Sequence, residues 1–253
     1  MLLLVLGCGG SDSEDNSVDL PFSVQFGGAP LECGVDVSAG SPAAPVSVSN
    51  LRFFVHDVFV SSGTSVARVV LSPDGVFQSE SLALMDMTGE NCTGAQHTTL
   101  SGTVGLSGPY DGLHFTVGVP TAQNHLDAAE AEPPLDDPRT WWGWRMGYVH
   151  LRADFSSGTH ASWGAHYGAA DCEGTGATAT CLEENLVEVD LALDPANGVL
   201  VDLDALTAAI DFNAPLDEAT NPDAGCFGTA DDPDCLALTQ ALESDDTPVF
   251  TTP

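Results

Sequence analysis

The sequence has no lysine and only five arginines, set against 37 aspartates and glutamates, and its formal net charge is −32. Proteins that hold nucleic acid place basic groups on phosphates, and this chain has almost none to place. The same deficit excludes attraction to an anionic lipid surface. The acids favour solubility and attract cations or a basic partner. Catalytic signatures are also missing: there is no G-x-S-x-G, no H-E-x-x-H and no P-loop. The aspartate-rich Asp223–Asp234 segment lacks the EF-hand order. No C-x-x-C occurs, which argues against a thiolate metal site. Helix signals are few, confined to Asp204–Ile210 and Asp234–Leu242.

Strand signals dominate instead. Phe22, Val24 and Phe26 alternate with polar neighbours, as do Leu113, Phe115 and Val117, and Val187, Val189 and Leu191. This two-residue period marks half-buried strands. Leu51–Val60 and Val66–Leu71 are more continuously apolar. Turn clusters such as Ser72-Pro73-Asp74-Gly75 separate them. With 253 residues, 43% of them hydrophobic, the chain is expected to form an all-β fold. We expect a single antiparallel β-sandwich of roughly eight to ten strands with long loops and one or two short helices.

The chain begins with Leu2–Leu6, an apolar run too short to span a membrane. Val5-Leu6-Gly7-Cys8 resembles a bacterial lipobox, with Cys8 as the lipidated residue. This divides the chain into a signal segment (1–8), an acidic tether (9–19) and a β-domain (20–253). No basic residue precedes the apolar run, so the usual positive n-region is absent. The expected location is the bacterial cell envelope, lipid-anchored, on the periplasmic or outer-surface side. Six further cysteines in an exported chain point to disulfides. Short intervening loops favour Cys172–Cys181 and Cys226–Cys235, which leaves Cys33–Cys92.

All four tryptophans (Trp141, Trp142, Trp144 and Trp163) lie between Gly118 and Cys172. Four of the seven histidines lie there too: His125, His150, His160 and His166. Imidazole is the commonest protein ligand for copper, zinc and iron. Each residue also has a plainer reading as packing or surface. Trp142 and Trp144 share strand parity and would face one way in a strand that continues to Arg152. Arg152 suits a buried carboxylate pair or the bracing of a loop. His56 shares parity with core residues, His114 faces the polar side of its strand, and His160 shares parity with His166.

An ordered series of short motifs carries a family resemblance. It runs Leu51-Arg52-Phe53-Phe54-Val55, Leu84-Met85-Asp86, Gly118-Val119-Pro120, Asn124-His125, Pro134-Leu135 and Trp142-Gly143-Trp144. It continues with Gly147-Tyr148, Leu151-Arg152, His166-Tyr167-Gly168 and Cys172. The series resembles the MbnP-like family, the four-Cys proteins of the metallo-mystery pair, over roughly Leu20–Leu242. The chain departs from the family pattern at His150, where an aromatic or aliphatic residue is usual, and at Tyr167-Gly168-Ala169.

The resemblance implies an exported copper-binding protein, often a lipoprotein. It is the substrate of a MauG-type di-haem peroxidase (MbnH) rather than a catalyst itself. That partner converts a tryptophan to kynurenine, and related proteins hold copper through two histidines and the kynurenine. Carried over by motif, His125 and His166 are the ligand histidines. Trp144 is the preferred oxidation target and third ligand, with Trp142 as the alternative. Copper, as Cu(I) or Cu(II), is the implied metal, with no organic cofactor. The competing reading is a metal-free β-sandwich module that uses the tryptophans as a stacking platform for a ligand or surface.

Overall fold

Two sheets face each other across a core of phenylalanine and branched aliphatic side chains in the computed structural model. It describes residues 16–143, 146–192, 197–215, 224–228 and 232–253. Cys8, the signal segment, most of the tether and Trp144 lie outside the described residues. The all-β sandwich read from the sequence is what the chain forms. The described residues contain two α-helices, Leu203–Thr207 and Pro233–Leu242. Neither is long and apolar enough to cross a membrane. Each starts at an aspartate whose carboxylate accepts from backbone N–H groups: Asp202 from Asp204 and Ala205, and Asp232 from Asp234. Such caps satisfy donors that a helix leaves unpaired.

The smaller sheet runs in the order Phe250–Thr251, Val199–Asp202, Asn16–Phe26, Thr99–Val104 and Val70–Leu71. The larger runs Val187–Ala192, Gly112–Val117, Ala44–Ser62, Val149–Ser157, Trp163–Gly168 and Gly225–Cys226. Most ladders are antiparallel. Asn16–Phe26 with Val199–Asp202, and Trp163–Gly168 with Gly225–Cys226, are parallel. Phe53 packs its ring 5.9 Å from Phe22 and 5.4 Å from Phe250. Trp163 closes the other end against Phe155 and Phe212.

Three features differ from the sequence reading. The first strand begins at Asn16 and buries Val18, so residues 16–19 belong to the sheet and not to a tether. The described residues hold seventeen strand segments, more than expected, because several are only two to four residues long. Trp142 is not in a strand. Its N–H donates to the Gly147 carbonyl and the Gly147 N–H donates back to Gly143, closing a turn. Positive φ at both glycines makes that turn, so strand parity does not orient Trp142.

The three disulfides are the expected ones: Cys33–Cys92, Cys172–Cys181 and Cys226–Cys235. The central strand Ala44–Ser62 explains its own apolar composition. Its odd positions Leu51, Phe53 and Val55 face the sandwich core. Its even positions are covered by the loops between residues 118 and 148, whose Val119, Ala128, Leu135 and Tyr148 pack on Phe54, Leu82 and Leu84. A strand buried on both faces reads as a continuous hydrophobic run.

Phe53→Ala removes a ring that joins both sheets. It should lower stability by roughly 3–5 kcal/mol, the usual cost of truncating a buried phenylalanine. Urea unfolding with the disulfides intact measures it.

Candidate metal centre

The roofed face of the larger sheet carries polar side chains at alternate positions. Asn50, Arg52 and His56 come from the central strand, and His150, Arg152 and Asp154 from its neighbour. Arg52 stands opposite Arg152, and Arg152 opposite His166. His56, Arg52, Asn50 and His150 are all buried. Buried polar groups must find partners, and the partners reveal what each imidazole can do.

His150 sits where the register shifts between Val149 and Leu151, a bulge of the kind that re-aims a side chain. Its Nδ1 lies 3.2 Å from the Asn185 carbonyl oxygen. A carbonyl can only accept, so Nδ1 carries the proton and Nε2 keeps its lone pair. That Nε2 is buried with no hydrogen-bond partner. Burial pushes the His150 pKa down to about 4, and the charges that His56 and His125 would carry push the same way. The ring is therefore neutral at physiological pH.

His56 borders a second register shift, between His56 and Phe59. By the same argument its Nδ1 donates, at 2.9 Å, to the Gly118 carbonyl. Burial also lowers its pKa. Gly118 lies between the two rings. A Cβ there would come within 2.9 Å of His150 Nδ1, and its φ of +130° disfavours any other residue.

His125 occupies the turn after Gly118-Val119-Pro120, where Asn124 N–H donates to the Pro120 carbonyl. Its Nε2 lies 3.3 Å from Cys181 Sγ. One nitrogen of His125 and the sulfurs of Cys172 and Cys181 all lie within 4.8 Å of one another. The sulfurs are bonded to each other in a disulfide. Gly147 and Tyr148 are pinned against the neighbouring Asn124. Tyr148 N–H donates to the Asn124 side-chain oxygen at 2.9 Å, and Gly147 approaches Asn124 so closely that a Cβ would lie 2.6 Å from its carbonyl.

His166 has a different setting. Its Nε2 donates to Asp154 Oδ1 at 2.6 Å, and its Nδ1 is buried without a hydrogen-bond partner. The Trp142 ring lies 5.6 Å away and the Phe227 ring 4.9 Å away. The second oxygen of Asp154 accepts from Arg152 Nε at 2.9 Å and from Asn50 at 2.8 Å. Burial works to raise the Asp154 pKa. The hydrogen bonds from His166 and Arg152 outweigh it and hold the carboxylate well below its usual range.

The sequence-derived ligands thus fall into two environments. His125 stands against the Cys172–Cys181 disulfide, near enough to His150 for its charge to be felt there, and His166 stands with Asp154 and Trp142. Trp144 lies outside the described residues. His160 does not join His166: its Nε2 donates to the Ala214 carbonyl at 2.8 Å. Trp163 is a core residue, 2% exposed, so the tryptophans do not form one stacking platform. His150, which the sequence alone presents as packing or surface, is a buried imidazole of this face. The parity that puts it with Arg152 and Asp154 is legible in the sequence, but the burial of that face is not.

The family model MbnP matches residues 15–226. The solved structure of MbnP from Methylosinus trichosporium superposes with a TM-score of 0.80 at 25% identity, covering 90% of this chain and 89% of that one. Among curated proteins, none matches.

The pKa shift of His150 fixes the sign of a pH effect. The folded pKa of about 4 lies below the ordinary value of 6.5, so only the unfolded chain binds this proton between them. The stability involved is fully present above pH 6.5 and is lost as pH falls towards 4. Urea midpoints measured across that interval should fall with pH in the native chain and fall less in His150→Phe.

Proposed function

The chain belongs to the MbnP family, and from that premise we propose that it is an exported protein that acquires or hands on copper, without turnover of its own. The single observation that carries the reading is His150. Its ring is buried and neutral, oriented through Nδ1 by a carbonyl, and left with an unpaired Nε2 beside a second buried imidazole. Metal-binding imidazoles have this arrangement, with one nitrogen fixed by an outer partner and the other free to ligate. In this reading His125 and His150 form the histidine pair, and His150 takes the place given to His166 on sequence grounds. Two neutral imidazoles suit Cu(I), which tolerates low coordination.

Oxidation of a tryptophan to kynurenine by a di-haem peroxidase partner would add an aniline nitrogen and a ketone. Trp144 is the proposed target on the strength of the motif series; Gly147 and Tyr148, shortly after it in the chain, lie against Asn124, next to His125. Trp142, whose ring lies tilted beside His166 at 5.6 Å, is the alternative. The many carboxylates raise the local cation concentration and suit a basic face on the partner. Lipidation at Cys8 would hold the protein at the cell envelope.

Two measurements test this. Peptide mass spectrometry of protein co-produced with its peroxidase should find kynurenine at position 144; unmodified tryptophan at every position removes the oxidation step. In Cu(I) competition titrations, His125→Ala and His150→Ala should each weaken binding at least tenfold, with His166→Ala having a smaller effect. Equal affinity in all three variants sinks the assignment.

A further inference from the structure

Strands Ala170–Glu173 and Thr180–Glu183 form a small hairpin separate from both main sheets. Cys172 and Cys181 face each other directly across it, with ladder pairs Ala170–Glu183 on one side and Glu173–Thr180 on the other. The hairpin therefore holds the two side chains together whether or not they are bonded. Among the described residues, these cysteines and His125 are the one group of three metal-ligating side chains whose ligand atoms lie close enough to share an ion, within 4.8 Å. A tetrahedral ion with Zn–S-like bonds of about 2.3 Å and an N bond of about 2.0 Å needs ligand atoms roughly 3.5–4 Å apart. His125 Nε2 and Cys181 Sγ already stand 3.3 Å apart.

We propose that the Cys172–Cys181 disulfide is a redox gate over His125, which a dithiol opens to create a two-thiolate, one-imidazole site for a soft cation. The exchange balances. One thiolate of the dithiol attacks Cys181 Sγ, the S–S bond breaks, and Cys172 leaves as a thiolate. The second thiol of the reagent then displaces Cys181, and the reagent departs as its own disulfide with two electrons passed to the protein. Protons on the two new thiols are released when the metal binds. Cys181 is half-buried and open to attack, whereas both members of Cys226–Cys235 are buried, with exposures of 1% and 6%. Cys33 and Cys92 are half-buried too, but their sulfurs are approached by the Val48 and Ser49 carbonyls and, among the described residues, join no metal-ligand cluster.

The consequence is a site with two strengths. Oxidised, it offers imidazole alone; reduced, it adds two soft, charged ligands that favour Cu(I) and Zn(II). This deepens the copper reading and rests on it only for the identity of the cargo.

Cobalt(II) tests the gate without that assumption. The full chain is treated anaerobically with dithiothreitol, desalted and titrated with Co(II), and its new thiols are mapped by alkylation. Alkylation should fall on Cys172 and Cys181. One equivalent of Co(II) should bind with a sulfur-to-cobalt charge-transfer band that untreated protein lacks. His125→Ala should weaken that binding at least tenfold. Cys172→Ser/Cys181→Ser should abolish the band, and Cys226→Ser/Cys235→Ser should retain it. The proposal is overturned if the Cys172–Cys181 pair resists the dithiol while the chain stays folded by circular dichroism. It is equally overturned if reduced protein binds Co(II) with no sulfur band. Either failure leaves Cu(I) binding by untreated protein, and its dependence on His150, unaffected.

Discussion

A polar sheet face roofed by a long loop governs this molecule. One face of the larger sheet packs against the smaller sheet in the ordinary way of a sandwich. The other carries Asn50, Arg52, His56, His150, Arg152 and Asp154, and would be solvated in most antiparallel proteins. Here the chain from Gly118 to Tyr148 covers it, stapled by Phe54, Leu82, Leu84, Val119, Leu135 and Tyr148. The Tyr148 hydroxyl donates to the Leu135 carbonyl at 2.6 Å and ties the roof to the strand below. Once covered, each polar group must be paired, and each pairing fixes a tautomer or a charge.

The charge deficit takes on a structural meaning beneath that roof. Three of the five arginines, Arg52, Arg139 and Arg152, gather there with Asp86, Asp137 and Asp154. Arg139 is gripped by both Asp137 oxygens, and its carbonyl accepts from Arg152 at 2.7 Å. Arg52 is 1% exposed, and its nearest acid, Asp86, stands 3.6 Å away. Buried pairs of this kind add little net stability against an apolar core, because desolvation offsets their attraction. Removing one member is costly, since it strands a buried charge. The network therefore fixes where the loop sits more than it strengthens the fold. It brings Arg152 and Asp154 up to His166.

Alternation in the sequence is enough for the sandwich, and short cysteine spacing for the local disulfides; the helices are legible as the segments Asp204–Ile210 and Asp234–Leu242, while their caps at Asp202 and Asp232 come from the structure. Those features depend on short-range pattern. The site depended on facts of another range. His150 lies at a bulge, and a bulge inserts a residue without any mark in the hydrophobic period. Trp142 has strand parity with Trp144 in the sequence, but the positive φ of Gly143 ends the extended chain. Of His125 and His166, the two ligand candidates taken from the motif series, His125 is buried and His166 is partly buried, and long-range register puts them in different company. Asp154 cannot be distinguished among 37 acids until its hydrogen bond to His166, on the neighbouring strand, is seen.

The two environments are chemically unequal, and the inequality follows from the orienting atom. A carboxylate on the far nitrogen makes an imidazole more electron-rich and brings a negative charge near the ligand. Asp154 does this for His166, which suits a divalent ion. A neutral carbonyl orients His150 without adding charge, and burial keeps the ring unprotonated. A neutral pocket disfavours a dication that must leave its water behind, and tolerates a soft monocation far better. Under the proposed copper role, the His125–His150 pair would therefore favour Cu(I), and the nearby Cys172–Cys181 sulfurs would add softness rather than hardness to it. Selectivity would then come from what the roof excludes, water and uncompensated charge, as much as from the nitrogens it presents.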